Sequence, residues 1–414
     1  MNFLFVHNNF PAQFRHAAAA LVAAGHSVVG LGSRTSRAVP GVRALRYSTG
    51  DMDVSSSHPF ARRFDMECRR AEQVLYSLSS LRASGFVPDV VVAHPGWGEA
   101  LPLRTVFPKT RIVAYCEFFY GLEGRDVGFD PEFPESGLDG HVALHLKNAA
   151  TMFALFDCDE GLAPTHWQRS TFPEPLQPKI RVIHDGVDTD LIAPNPDARL
   201  RLRSGIELSA QDEVITFVAR NLEPLRGYHA FMRALPRVLA QRPKAHVVII
   251  GGDGTSYGAH PPKGQSWKGI YLDEVQNGLD MRRVHFTGFL GHEQYLAALQ
   301  ISSAHVYLTY PFVLSWSLLE AMSAGCVVIG SDTAPVTEVI DGSNGMLVPF
   351  FDTDALAGAV VSALRERRGL LGMRARARET VIANYDLRTV CLPQTLQFLE
   401  GQSIRRRRRV AGAV

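Results

Sequence analysis

The sequence is short of cysteine, of unbalanced charge and of long apolar runs, and each shortage removes a class of protein. Five cysteines in 414 residues (Cys68, Cys116, Cys158, Cys326 and Cys391) are odd in number, scattered, and never arranged as a Cys-x-x-Cys pair. This excludes a disulfide framework and a cysteine-built zinc site, and it fits a reducing compartment. Lysine plus arginine number 43 against 41 acidic residues, a formal charge of +2. A chain so nearly balanced lacks the basic excess of a protein that grips a phosphate backbone over a broad face, so no nucleic-acid partner is expected. The first small-apolar run, Ala17–Ala24, is too short to span a bilayer, and the expected location is the cytoplasm.

What is present is ample apolar material. With 46% hydrophobic and 20% charged residues the chain has enough for a full core in each of two or three domains, which rules out extended disorder. Apolar, β-rich runs followed by helix-like stretches recur at Phe3–Val6, Ser27–Leu31, Val90–Ala93, Arg111–Tyr115, Glu160–Ala163 and Ile180–His184. The rhythm restarts at Val214–Ala219 and continues through Ala245–Gly251, Val284–Phe286, Ala304–Leu308 and Val327–Gly330. Near-continuous apolar strands indicate parallel sheets covered on both faces. The fold class expected is α/β, two doubly wound parallel-sheet (Rossmann-like) domains facing across a cleft. Residues 1–190 form the first and 191–385 the second, with a hinge near 190–205 where Ala193-Pro194-Asn195-Pro196-Asp197 gathers turn formers. A C-terminal helix over 386–404 returns toward the first domain, and 405–414 is a basic disordered tail.

Ligands of open α/β sheets sit beyond the carboxyl ends of the strands. Three such ends in the second domain carry anion-binding chemistry. Strand Val214–Ala219 leads into Arg220 and, around the loop, Arg226, whose guanidinium forks match phosphate oxygens. Gly252 and Gly254 lie in a glycine-rich turn that allows close backbone approach. A helix beginning near Ser315, with Trp316 and Ser317, aims free N–H groups outward, and Glu320 lies a turn further in, placed to accept a pair of hydroxyls. Each feature alone has a bland reading: a helix start packed on a sheet, a solvated acid, a glycine that merely turns the chain.

Together these segments resemble family 4 of the retaining nucleotide-sugar glycosyltransferases, with the GT-B architecture. The likeness runs from Phe3-Leu4-Phe5-Val6-His7 through Ile183-His184-Asp185-Gly186-Val187-Asp188, Phe217-Val218-Ala219-Arg220, Val248-Ile249-Ile250-Gly251-Gly252-Asp253-Gly254 and Val284-His285-Phe286-Thr287-Gly288-Phe289 to Leu318-Leu319-Glu320-Ala321-Met322-Ser323-Ala324-Gly325. It implies that Arg220 and Arg226 hold the donor diphosphate and stabilise the charge that develops on it, that Ser315, Trp316 and Ser317 offer donors, and that Glu320 binds the ribose. Phe289 and Leu290 would lie near the base. The sugar donor is a substrate, and neither a cofactor nor a metal is expected, protein cations taking the place of magnesium.

The chain departs from the family pattern at three places. The family's signature pairs two glutamates separated by seven residues, the first touching the donor sugar, and Phe312 stands at that first position. The usual lysine of the loop after Arg220 is absent: Leu225 falls at its spacing, with Arg226 one residue later. The first strand–helix loop, Asn8 to Phe14, lacks the family's glycines and is expected to shape the acceptor pocket through Phe10, Ala12 and Gln13. His94 and Glu117, at further strand ends, complete the acceptor side, Glu117 standing where the family often places a histidine and counted as catalytic. Each of these polar residues is equally a hydrogen-bonded structural group on sequence grounds. His7 is a further strand-end residue of this kind. Gly121–Gly140, with Asp126, Asp130, Glu132, Glu135 and Asp139, reads as a long acidic loop over the cleft. The run Arg405–Arg409 is a solvated tail or, alternatively, a contact with an anionic membrane. The rival activities are a GT-B phosphorylase or nucleotide-sugar epimerase, and a bilobal small-molecule binding protein.

Overall fold

The computed structural model describes all residues except 51, 134–136 and 412–414, and no side chain from 402 onward. Glu135 of the acidic loop therefore lies outside the described residues. The chain divides into two compact units, Met1–Asp185 together with Arg388–Val414, and Gly186–Leu387.

The first unit is built on β1 (Asn2–Val6), β2 (Ser27–Ser33), β3 (Arg43–Tyr47), β4 (Val90–Ala93), β5 (Arg111–Tyr115), β6 (Glu160–Ala163) and β7 (Ile180–Val182). They form one sheet in the order β3-β2-β1-β4-β5-β6-β7, and its described strand pairs are parallel. Alternate residues of β1 enter opposite cores. Phe3 and Phe5 pack with Phe14, Leu21 and Val92, whereas Leu4 and Val6 pack with Val74, Leu78 and Val91. Burial of both faces is why the run Phe3–Val6 is continuously apolar. Edge strand β3 buries only Tyr47 fully, so it leaves no apolar run to read.

The second unit opens with a small antiparallel ribbon, β8 (Arg199–Arg201) and β9 (Glu207–Ser209). Its main sheet comprises β10 (Val214–Asn221), β11 (His246–Gly252), β12 (Val284–Gly288), β13 (Ala304–Tyr307), β14 (Val328–Ser331) and β15 (Met346–Val348), ordered β12-β11-β10-β13-β14-β15. In both sheets the chain starts centrally, builds out to one edge, and returns to build the other. The crevices this reversal leaves lie at the carboxyl ends of β1 and β4, and of β10 and β13.

The chain leaves the first unit at Asp185, earlier than residue 190. Val187 is already held by the second unit, its N–H donating to Tyr385 O at 2.8 Å and its carbonyl accepting from Leu387 N at 2.8 Å. The proline-rich stretch expected as a hinge packs inside that unit, with Ile192 buried and Gln300 donating to Ala193 O at 2.8 Å. After Leu387 the chain rejoins the first unit and forms the Leu392–Ala411 helix. Leu399 enters the core of Phe3 and Phe5, Arg111 donates to the carbonyls of Phe398 and Leu399 at 3.1 and 2.9 Å, and His26 pairs with Glu400 at 2.9 Å. The backbone of this helix runs through Arg405–Arg409 to Ala411, within the stretch expected as a tail; the remaining residues 412–414 lie outside the described residues. Among the described residues no helix is long and apolar enough to cross a membrane.

Buried histidines tie this fold to pH. His305 in β13 is fully buried, its Nδ1 lies 2.8 Å from Thr216 Oγ1, and its Nε2 has no partner among the described residues. Burial pushes its pKa from the ordinary 6.5 down to about 3. The unfolded chain binds the proton near pH 6.5 and the folded chain only far lower, so this contribution to stability is complete above pH 6.5 and is lost as pH falls toward 3. At pH 5 the loss is about 2 kcal/mol. Urea titrations should show stability falling between pH 7 and pH 5, and in His305→Gln that fall should shrink by about this amount.

Candidate active site

In the second unit the loop after β10 folds against the loop after β13. Arg220, at the end of β10, is exposed and makes no hydrogen bond or ion pair among the described residues. The Pro224–Arg226 turn follows, closed by Gly227 at φ 70°. A side chain at Gly227 would place its Cβ 2.3 Å from that of Leu308, so only glycine fits. This turn sends Leu225 into the core and brings Arg226 beside the loop after β13. Arg226 is 9% exposed, and its Nη1 donates to Thr309 Oγ1 at 2.9 Å and Val313 O at 3.0 Å, with Tyr307 Oη at 3.5 Å. Its guanidinium carbon lies 5.7 Å from the ring centre of Phe312 and 6.0 Å from that of Tyr257. A nearly buried cation is thus enclosed by aromatic rings and neutral oxygens, with Nε and Nη2 unassigned to any acceptor among the described residues. Phe312 itself is buried at 3% under Tyr257, ring centres 5.1 Å apart.

Gly252 and Gly254 have internal reasons for being glycine. A Cβ on Gly252 would lie 2.6 Å from Asn221 Oδ1 and 2.7 Å from the Phe289 ring, and Gly254 donates its N–H to Asn221 Oδ1 at 3.2 Å. The next amides are engaged by Glu223, a 1% exposed carboxylate that accepts from Ser256, Tyr257 and Gly258 N–H at 3.2, 3.4 and 3.1 Å. The amides that follow the glycine turn are therefore met by an acid of the chain itself. Phe289 is 69% exposed, and Leu290 packs on the core beside Ile250 and Ala298.

Ser315 caps the Trp316–Ser323 helix, accepting from Ser317 N at 3.4 Å. The expected free N–H groups are partly used within the protein, because Ser315 N donates to Tyr307 Oη at 2.7 Å. The two serine hydroxyls bond each other at 3.1 Å, and Trp316 is 47% exposed. Gly325, at φ 79°, ends the helix as its sequence position requires. Burial pushes Glu320 above the usual carboxylate range, opposed by the Tyr295 hydroxyl, which donates to Oε2 at 2.5 Å. Oε1 has no protein donor among the described residues.

In the first unit, three residues from three strand ends meet at one carboxylate. Gln13 Nε2 donates to Glu117 Oε1 at 3.1 Å, and His94 Nε2 lies 3.1 Å from Glu117 Oε2. Gly96 N–H donates to His94 Nδ1 at 3.1 Å, so that nitrogen is bare and the proton resides on Nε2, facing Glu117. The Trp97 ring stacks on His94 with centroids 4.0 Å apart. His7 sits edge-on to both, at 5.4 Å from His94 and 5.0 Å from Trp97. Burial, and then His94, hold its imidazole well below the ordinary range, with Gln13 opposing them. Ala12 adopts φ 41°, the left-handed region that non-glycine residues seldom occupy and that clusters at functional loops. Phe10 is corrected: at 1% exposure it packs on Gly30, where a Cβ would lie 2.4 Å from its ring, so it is core and has no surface to offer an acceptor. The acidic loop is also less exposed than expected, with Asp130 buried at 4% and Asp126 pushed upward by burial.

Of the residues singled out in the sequence, Gln13, His94 and Glu117 come together at one strand-end cluster, and Arg226 and Phe312 at another. Glu223, Tyr257, Tyr295 and Trp97 were missed. Glu223 had a faint signal, an acid directly before a proline-started turn; the others are aromatic residues whose role depends on distant partners.

Two doubly wound parallel sheets, each gathering its polar side chains at the strand ends beside a reversal of strand order, define a GT-B glycosyltransferase that draws on a nucleotide-sugar donor. Residues 24–192 match the glycosyl transferase family 4 group, and residues 212–366 match glycosyl transferases group 1. The chain belongs to the family 4 type of GT-B glycosyltransferases. It is 26% identical over 313 residues to a GDP-mannose-dependent alpha-(1-6)-phosphatidylinositol monomannoside mannosyltransferase of Mycolicibacterium smegmatis, covering 71% of this chain and 72% of that protein. Similarity to a glycogen synthase of Mycobacterium tuberculosis is 28% over 222 residues, 53% of this chain and 48% of that one. In fold the chain is similar to a sucrose-phosphate synthase from Thermosynechococcus elongatus (TM-score 0.73, 18% identity, 99% of this chain and 100% of that one). It is also similar to Anabaena HepE in complex with UDP and glucose (TM-score 0.66, 15% identity, 97% and 100%).

The carboxylate of Glu223 is the main tie on the loop after β11. Glu223→Gln leaves one acceptor oxygen for three amides and should cost about 1–3 kcal/mol locally. Hydrogen exchange should read faster exchange at Ser256, Tyr257 and Gly258, with the amides of β11 unchanged.

Proposed function

We propose that the protein is a retaining hexosyltransferase that moves sugar from a nucleoside diphosphate donor to a hydroxyl of an acceptor held by the first domain. The observation that carries this reading is Arg226: a guanidinium almost removed from water, paired with no carboxylate among the described residues, and with one edge unassigned there. A charge so placed costs free energy unless an anion meets it, and a diphosphate is the anion such a donor brings. Arg220, free and exposed, is the second phosphate ligand. Glu320 takes the ribose hydroxyls through Oε1 while Tyr295 fixes Oε2. Phe289 offers an exposed ring to the base, beside Leu290, and Ser315, Trp316 and Ser317 border the phosphates at the helix start.

On the acceptor side Gln13 and His94 converge on Glu117, a carboxylate whose acceptor oxygens suit an incoming hydroxyl. A sugar phosphate would therefore direct its anionic end elsewhere. In the reaction, the departing diphosphate leaves on the face that the acceptor attacks and takes the acceptor's proton, while Arg220 and Arg226 stabilise its growing charge. No cofactor or metal ion is required in this reading. The chain works in the cytoplasm, and Arg405–Arg409 attract it to anionic membrane surfaces at about 1 kcal/mol per residue.

Thermal stabilisation by GDP, UDP, GDP-mannose and UDP-glucose tests the donor site. At least one nucleotide should raise the melting temperature of the wild type, and Arg226→Met and Glu320→Ala should each weaken that binding roughly tenfold or more. Wild-type affinity in both folded variants, measured by calorimetry, would remove the assignment. Phe312→Glu makes a sharper prediction. An acid at 312 would pair with Arg226 and compete with the diphosphate, so nucleotide affinity should fall rather than rise. For the acceptor side, Glu117→Gln should reduce transfer while nucleotide affinity is unchanged.

A further inference from the structure

Beneath the His94–Glu117 pair lies a buried ionic layer that no part of the donor chemistry uses. The Arg62–Ala83 helix carries Arg63 and Arg70 toward the turn at residues 95–98. Arg63 Nη2 donates to Gly96 O at 2.8 Å, and Arg70 Nη1 donates to Trp97 O at 2.6 Å. Two successive carbonyls of one turn are thus each held by a guanidinium. The arginines are themselves anchored by acids with almost no exposure. Arg63 Nε pairs with Glu67 at 2.5 Å, Arg70 Nε lies 3.8 Å from Glu99, and the Tyr47 hydroxyl donates to Glu99 at 2.5 Å. The turn presses so closely on the helix that a Cβ at Gly98, where φ is 97°, would lie 2.2 Å from Glu67 O.

The same turn supplies two of the groups that orient His94, Glu117 being the third. Its Gly96 N–H is the donor to His94 Nδ1, and its Trp97 ring is the plate on which the imidazole stacks. Resting on the acceptor-side reading above, we propose that Arg63 and Arg70 are positioning residues: by clamping the carbonyls of Gly96 and Trp97 they hold the Gly96 amide on Nδ1, and so keep the His94 proton on Nε2 toward Glu117. A histidine with a free Nδ1 exchanges between its two tautomers; this one is locked by a backbone amide whose own direction is set from the helix behind it. Burial of two carboxylates is otherwise a costly way to pack a helix on a turn, since apolar residues of similar volume serve as well or better; here each acid meets a part-exposed arginine. Burial pushes Glu67 and Glu99 upward, and Arg63 and Arg70 respectively draw them back.

The test is the side-chain nitrogen spectrum of the full-length protein, with the His94 signals assigned by their loss in His94→Gln. Wild type should show one protonated and one bare nitrogen for His94. In the folded Arg63→Met/Arg70→Met variant the two signals should move toward one another as the tautomers mix, and Arg70→Lys, which keeps a donor to Trp97 O, should retain more of the wild-type pattern than Arg70→Met. Should the double variant fail to fold, Arg70→Met alone is read the same way. An unchanged His94 pattern in a folded variant lacking Arg70 would overturn the proposal. The spectrum does not depend on what Glu117 binds: unaltered transfer by Glu117→Gln would undo the acceptor-side reading and leave the tautomer result standing.

Discussion

A parallel strand covered on both faces can show polar chemistry only where it ends. That constraint governs both domains. Strands β1, β4, β10 and β13 are mainly apolar, their interior polar side chains Thr216 and His305 bonding each other, and the polar residues that can meet a ligand gather near the carboxyl ends: His7, His94, Arg220 and Thr309. The reversal of strand order then separates the connections on either side, so groups far apart in sequence meet without crossing a core. Gln13, His94 and Glu117 converge in this way, as do Arg226, Tyr257 and Phe312.

The two clusters answer different electrostatic problems. In the second unit the guanidinium of Arg226 has no ion-pair partner among the described residues, while Glu223 is committed to three amides of the neighbouring loop. In the first unit the carboxylate of Glu117 accepts from Gln13 and lies against His94, and the guanidinium groups of Arg63 and Arg70 are kept one layer back, beside Glu67 and Glu99.

The fold was legible because its signal is periodic and local. Continuous apolar runs named most of the buried strands, and Gly325 and Ser315 marked the ends of one helix. Edge strand β3 was silent because only one of its five side chains is fully buried, and the segment 193–197 looked like a linker because proline and aspartate have the same composition in a packed turn as in a free one. The site was half legible. Charged residues at strand ends pointed to Arg220, Arg226, His94 and Glu117, but burial decides which neighbours matter, and burial is not local. Phe10 faced inward onto Gly30, two glycines lay close against Asn221 and Phe289, and Glu223 bound the amides of residues 256–258.

The return of the final helix to the first unit has a consequence for how the chain is made. Phe3 and Phe5 share a core with Leu399, so a strand made before the second unit is finished by residues made after it. Until then that core is open along one side, and of the two units the one begun earlier is completed later. A nascent chain halted after the second unit would carry that unit finished and a first unit still exposing apolar surface, a species prone to aggregate.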